Sequence, residues 1–356
     1  MKKKMEQFTV CLFCGFLILM GLGCLILPRE DFSVREKRYL AEEPVLQMQT
    51  LLSGDWGEDV EAYLADHMPG RDFFVGLNAY FEKYTGRQRA GKIWTEGDRL
   101  LEAPGKMDLP AIERNMGAIN GFAEHLGRDV DLMLIPSAGW YCGLNQYGDD
   151  GIIRAAWDRA ADRVHPVDLS GSLTERDFYR TDHHWTSAGA FSGYKTYVTA
   201  LGLSPRQDFQ KETVKNFRGS TYSRSGLWLT PGEDLELFTG SEDLQTEIEE
   251  EIHAGIFFRE KLQEEDKYTV FLGGNHPLVR IRNPKQQGKL LVIRDSFSNC
   301  LGGFLAESFG EVVLVDLRYY KQPVRLLAEE ENFDHILVCY SLSNFLTDPN
   351  LIFLNR

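Results

Sequence analysis

Three rhythms of apolar and polar positions follow one another along this chain. The first is unbroken: FTVCLFCGFLILMGLGCLIL, Phe8 to Leu27, is twenty residues without a charge, about what a helix needs to cross the hydrocarbon core of a bilayer. Lys2, Lys3 and Lys4 precede it. The run is longer than the roughly 7–15 residue core of a signal peptide and has no A-x-A-like cleavage site, so an uncleaved anchor is expected over residues 1–27. Cys24 is a weak lipidation site, because Leu25, Ile26 and Leu27 continue the apolar stretch. Lysines and arginines are similar in number on the two flanks, with Arg29, Arg35, Lys37 and Arg38 on the far side, so they do not settle the orientation. A short tail and a large C-terminal body favour a cytoplasmic N-terminus, a single pass through the cell membrane and an extracytoplasmic body.

The second rhythm covers residues 28–90. PREDFSVREKRYLAEEP is charged and lacks periodicity, which predicts a stem. Tyr63, Leu64, Phe73, Phe74, Leu77, Tyr80 and Phe81 then recur near helical spacing, predicting helices packed on the main domain. Pro69 and Gly70 are expected to break them.

From residue 91 to residue 356 helical and extended patterns alternate. DLPAIERNMGAINGFAEHLG predicts a helix capped by Asp108, with Pro110 in its first turn and Leu109, Ile112, Met116, Ile119 and Phe122 on one face. VDLMLIPS reads as a buried strand, IIRAAWDRAADRV as a helix, and SAGAFSGYKTYVTALGL as another. Near the C-terminus KLLVIR, EVVLVDL and HILVCY are short apolar runs separated by the helical NCLGGFLAESF and PVRLLAEEE. Strand, helix, strand, helix, strand with short links predicts an α/β domain with a parallel sheet. Residues 204–288 break the alternation and read as a mostly β insertion, with Gly273 and Gly274 in a turn.

Composition narrows the classes. The net charge of −14 includes +3 from the first 29 residues, leaving −17 on the rest, which makes nucleic acid an unsuitable partner. The acidic stretch SEDLQTEIEEEIHAG is expected to be a solvated helix face. Of six cysteines, Cys11, Cys14 and Cys24 lie in the apolar run. Cys142, Cys300 and Cys339 leave room for one disulfide, and no C-x-x-C pair suggests zinc. No cofactor is expected.

In parallel sheets ligands bind beyond the carboxyl ends of the strands. That rule selects Asp295 and Ser296 after KLLVIR, along with IPSAGWYC and CYSLSN. Ser296 has a plain alternative as a helix N-cap. A serine nucleophile needs a histidine base, itself oriented by a carboxylate. In TDHHW an extended backbone would put Asp182 and His184 on one face and His183 on the other. Two alternatives stand beside a triad. Asp and two His can hold a metal, although adjacent histidines rarely converge on one ion, and the three residues can also form a hydrogen-bonded structural corner.

TDHHWTSAGA, VIRDSFSNCLGGFLAESF, FSVREKRYLAEEP and DHMPGRDFF, taken together, resemble the DHHW family of bacterial envelope proteins. That family is similar to alginate O-acetylation proteins of the AlgX and AlgJ type. The resemblance implies an SGNH-hydrolase-like three-layer α/β fold, circularly permuted, in which Asp182 and His184 of an Asp-x-His-Trp motif serve Ser296 of an Asp-Ser-Phe-Ser segment. Arg294 stands where ordinary SGNH blocks have glycine. The oxyanion donors are expected from the Ser296 N–H and from Asn275 or Asn344, each of which also reads as a turn residue. Trp185, Tyr141 and Arg294 are candidates for substrate contact, with core packing the alternative for the two aromatics. The implied function is O-acetyl transfer to, or ester hydrolysis on, an envelope polysaccharide, with the acyl group supplied by a multi-spanning membrane O-acyltransferase. The competing reading is a non-catalytic polysaccharide-binding or scaffold protein.

Overall fold

The structure, a computed structural model, describes residues 2–26, 28–33 and 38–356. Leu27, Arg35 and Lys37, which entered the anchor and its flank, lie outside the described residues, as does the middle of FSVREKRYLAEEP. The chain divides into two compact units, residues 1–93 with 222–229, and residues 94–221 with 230–356.

In the first unit the apolar run forms the helix Lys2–Ile26, of which Lys3–Cys24 is long and apolar enough to cross a membrane. Helices Met48–Ser53, Asp55–His67 and Arg71–Tyr84 follow. Pro69 and Gly70 do separate the last two, with Gly70 left-handed at φ 70°. Segment 222–229 belongs here because Trp228 fills the place of a side chain at Gly76, where a Cβ would lie 1.7 Å from the indole. The Leu229 N–H donates to the Tyr80 hydroxyl at 2.6 Å.

The second unit is built on an eight-stranded sheet. Its order is Glu251–Ala254, Gln245–Ile248, Leu278–Arg282, Glu311–Val315, Lys289–Arg294, His335–Ser341, Val130–Ile135 and Val164–Val167. The last five run parallel and the first three antiparallel, so the sheet is mixed rather than purely parallel. Side chains alternate between two cores, as strand geometry requires. Leu290, Val292, Leu337 and Cys339 face one side with helices Ser187–Ala200 and Ser298–Leu305. Leu291, Ile293, Ile336 and Val338 face the other with helices Leu109–Leu126 and Asp149–Trp157. The Asp108 carboxylate caps Leu109–Leu126 by accepting from the Ala111 N–H at 3.0 Å, but Leu109 itself is exposed rather than on the packed face.

Two expectations need correction. Residues 204–288 do not form one separate insertion. Gln210–Phe217 and Glu233–Thr239 pair apart, while three later strands complete the main sheet. The acidic stretch is a hairpin at the sheet edge, not a helix. Thr246 and Ile248 point inward and are buried while Gln245 is exposed, and Glu249 and Glu250 make the turn at φ 51° and 70°. The charges suit an edge strand because they discourage pairing with another chain.

Candidate active site

Residues 178–185 fold back on themselves: Phe178 bridges Trp185, and the Tyr179 N–H donates to the His184 carbonyl at 3.2 Å. The Glu233 carboxylate holds the tip, accepting from the Thr181 N–H at 2.7 Å and the Thr181 hydroxyl at 2.6 Å. At the tip Asp182 accepts from the His184 backbone N–H at 2.9 Å, a local turn that aspartate forms readily. Thr186 then caps the helix Ser187–Ala200, accepting from the Gly189 N–H at 3.1 Å. Gly193 leaves room for the Trp185 ring, which a Cβ there would meet at 2.9 Å.

The turn brings Asp182 Oδ1 to 2.5 Å from His184 Nδ1, and His184 Nε2 lies 2.8 Å from Ser296 Oγ. A carboxylate only accepts, so Nδ1 carries the proton and Nε2 accepts from the serine hydroxyl. The expected pair therefore forms, but not by alternation along an extended strand. The backbone bends, and His183 lies on the same side as His184, with ring centroids 3.8 Å apart. His183 Nδ1 is 2.6 Å from Ser220 Oγ. Tyr268 stacks on the other side of His184 at 3.9 Å and 5°. The ligand atoms of Asp182, His183 and His184 lie within 4.8 Å of one another, as a metal would need, yet both His184 nitrogens are engaged by Asp182 and Ser296.

Burial raises the cost of the Asp182 charge. His184, His183 and the hydrogen bonds from His184 and from the Ser220 N–H outweigh it and hold the carboxyl well below the usual carboxylate range. The Ser220 bond to Asp182 Oδ2 measures 2.6 Å. It depends on Gly219, where a Cβ would lie 2.2 Å from the Asp182 side chain. Sequence reasoning missed both residues; the only trace of them is the Gly-Ser pair in FRGSTYS.

Ser296 follows the strand Lys289–Arg294 and precedes the helix Ser298–Leu305. Its hydroxyl is not a cap: the capping position is Phe297 and has no side-chain hydrogen bond. Asp295 fixes this turn, accepting from the Phe297 N–H at 3.0 Å, the Ser341 N–H at 2.8 Å and the Ser341 hydroxyl at 2.7 Å. Asn344 completes that clamp by donating one of its two amide N–H groups to Asp295 at 2.8 Å. Asn275 differs. Arg294 Nη1 donates to Asn299 Oδ1 at 2.6 Å, and Asn299 Nδ2 donates to Asn275 Oδ1 at 3.0 Å. A guanidinium can only donate, so it fixes which way Asn299 points, and Asn299 fixes Asn275 with its NH2 turned away from both. Asn275 sits after Leu272, Gly273 and Gly274, all at positive φ, and is exposed. Nothing among the described residues accepts from the Ser296 N–H. A small cavity of about 30 Å³ is lined by Asp182, His183 and Phe297 together with Ser137, Ser341 and Ser343.

Of the three candidates for substrate contact, Trp185 and Tyr141 take the packing alternative, and Arg294 is not exposed. Trp185 is wholly buried, and its indole N–H donates to the Phe297 carbonyl at 3.0 Å. Arg294 is also wholly buried, 3.7 Å from Asp316, so neither surface is open to a ligand. Tyr141 stacks on Phe178 at 5.3 Å and donates to the Leu169 carbonyl at 3.2 Å. Cys142, Cys300 and Cys339 are free thiols.

A family described as DHHW protein matches residues 167–315. A DHHW family protein from Eubacterium siraeum shares the fold with a TM-score of 0.65 at 20% identity, covering 74% of this chain and 94% of that one. PatB1 from Bacillus cereus, in its structure with a sulfonyl adduct, gives 0.62 at 20% identity over 74% of this chain and 98% of its own. The O-acetyltransferase domain of Pseudomonas putida AlgJ gives 0.44 at 15% identity, over 72% and 91%. No match was found among curated proteins. At these identities the likeness is one of fold, and the stretch that matches the DHHW family, residues 167–315, contains Asp182, His184 and Ser296.

Proposed function

We propose that this chain is a serine-dependent O-acyltransferase or esterase of the cell envelope, anchored by its N-terminal helix and acting on acetyl esters of a polysaccharide. One observation carries the reading: the unbroken row from Asp182 through His184 to Ser296, at 2.5 Å and 2.8 Å. Ser296 Oγ attacks the acyl carbonyl carbon while its proton passes to His184 Nε2, and Asp182 stabilises the imidazolium. The developing oxyanion is met by the Ser296 N–H and the outward amide of Asn275. Collapse expels the donor's alcohol, which takes the proton back from His184 and leaves an acyl-Ser296 ester. A sugar hydroxyl, deprotonated by His184, then attacks that ester and regenerates the serine. Water in the same place gives hydrolysis. The sulfonyl adduct of PatB1 supports the reading, because a sulfonyl group becomes attached only where the protein offers a nucleophile. The donor is an acetyl group delivered across the membrane by a multi-spanning O-acyltransferase, as the family resemblance implies.

The test is a serine-directed fluorophosphonate probe on the full chain, followed by incubation with an activated acetyl ester and an oligosaccharide. Ser296 should label, His184→Ala should abolish labelling, and mass spectrometry should find acetylated sugar. Acetate alone would make the enzyme an esterase. No label, together with unchanged ester cleavage in Ser296→Ala, would return the chain to the scaffold reading.

A further inference from the structure

The helix Arg71–Tyr84 has one face that is already satisfied and one that is not. Gly76 and Ala79 are buried, and Gly76 lies directly against Trp228. On another face Phe73, Leu77, Phe81 and Tyr84, spaced at i, i+4, i+8 and i+11, are 57%, 52%, 62% and 80% exposed. An apolar stripe of this kind, on a helix whose inward face is packed, marks a surface made to be covered.

The same unit indicates what covers it. Pro69 sits against Gly23, where a Cβ would be 2.4 Å from the proline ring, and Gly23 is the last residue but one of the segment able to span a membrane. Past the span, the Arg29 guanidinium lies 5.6 Å from the centre of the Tyr63 ring and is bonded to Glu43 at 2.6 Å. The Ala41 N–H donates to Asp66 at 2.9 Å. The helix Asp55–His67 and the turn after it are therefore held at the exit of the span. Phe73 is four residues beyond Pro69, within about 14 Å even if fully extended, so the stripe begins at the depth where a bilayer ends. We infer that the helix Arg71–Tyr84 lies in the phospholipid interface, its Phe73–Leu77–Phe81–Tyr84 stripe buried at the boundary of headgroups and acyl chains. This rests on the reading of Lys3–Cys24 as a membrane anchor. Amphipathic helices bind membrane surfaces in this way, and a second attachment beside the span would fix the height of the unit above the bilayer.

The test is photo-crosslinking of the full chain in vesicles of phosphatidylethanolamine and phosphatidylglycerol. p-Benzoylphenylalanine replaces Phe81, Leu19 within the span or, as an exposed apolar control, Ile252. Lipid adducts at positions 19 and 81 with only background at 252 are expected. Adducts at 19 and none at 81 overturn the inference and leave the anchor standing, whereas none at either position removes both. A crosslinked dimer through position 81, or in cells a protein adduct without lipid, also overturns it by naming a different occupant.

Discussion

Arg294→Met tests whether a buried cation sets the geometry of an atom it never exposes to substrate. The guanidinium fixes Asn299, which fixes Asn275, through bonds of 2.6 Å and 3.0 Å. A hydrogen bond to a charged group is worth about 1.5–3 kcal/mol net. If that bond supplies the orientational bias of the Asn275 amide, its loss corresponds to roughly a 10- to 150-fold fall in kcat at 1.36 kcal/mol per decade. The ceiling is the loss of one oxyanion donor, about 10²–10³, which Asn275→Ala should reach. KM should change little if, as proposed, the amide meets charge that develops only in the transition state. Methionine keeps most of the volume and removes the unpartnered Arg294 Nε. Asp316 retains Arg318 at 2.6 Å, so the fold should survive, as thermal unfolding would check. The assay is steady-state cleavage of a chromogenic acetyl ester by the wild type, both single variants and the double variant. If Arg294 acts through Asn275, the double variant is no slower than Asn275→Ala. Wild-type kcat in Arg294→Met, or a double variant whose loss is the product of the two single losses, would refute the relay.

Four further outcomes follow. Ser296→Ala should lower turnover by at least about 10³-fold, measured on the same ester. Asp182 is held below its ordinary range when folded, so its stabilisation is complete above the unfolded carboxyl pKa of about 3.9 and disappears as pH falls through the depressed folded value. Asp182→Asn should therefore be less stable than wild type near neutrality, with the gap closing in acid, as urea unfolding across that range would show. Gly219→Ala drives a methyl into Asp182, 2.2 Å away, and should cost about 1–3 kcal/mol along with most of the activity. Glu249→Asn with Glu250→Gly relieves two left-handed residues in the edge hairpin and should raise stability by about 1 kcal/mol, seen as a higher Tm without change in kcat.

The core of the fold was legible because it is governed by local pattern. KLLVIR, EVVLVDL and HILVCY are too short and too uniformly apolar for anything but strands buried on both faces, and they form adjacent parallel strands. The acidic hairpin was not legible as a strand. Its inward residues Leu244, Thr246 and Ile248 alternate as a strand requires, but five glutamates and an aspartate obscure them. Charge content says that a segment meets water, and an edge strand meets water as a helix does. Residues 245–254 and 278–282 could not be assigned to the main sheet for a different reason: their partners lie far along the chain, and pairing at a distance leaves no trace in local periodicity.

The site divides along the same line. An extended backbone would put Asp182 and His184 on one face; the backbone instead turns and the two still meet, because a side chain two residues ahead of a backbone N–H can reach it in a turn as well as share a face in a strand. His183 shows the difference: alternation sends it away, and the turn instead lays it on His184. Arg294 stands where ordinary SGNH blocks have glycine, and from the sequence it is a candidate for substrate contact. Its burial changes the argument. A charge kept in a water-excluded place, pushed below its usual pKa by that burial and pulled back by Asp316, is costly unless the direction it imposes on its neighbours is worth having. The residues that receive that direction, Asn299 and Asn275, are separated from each other by 24 positions, which is why the relay could be found only in space.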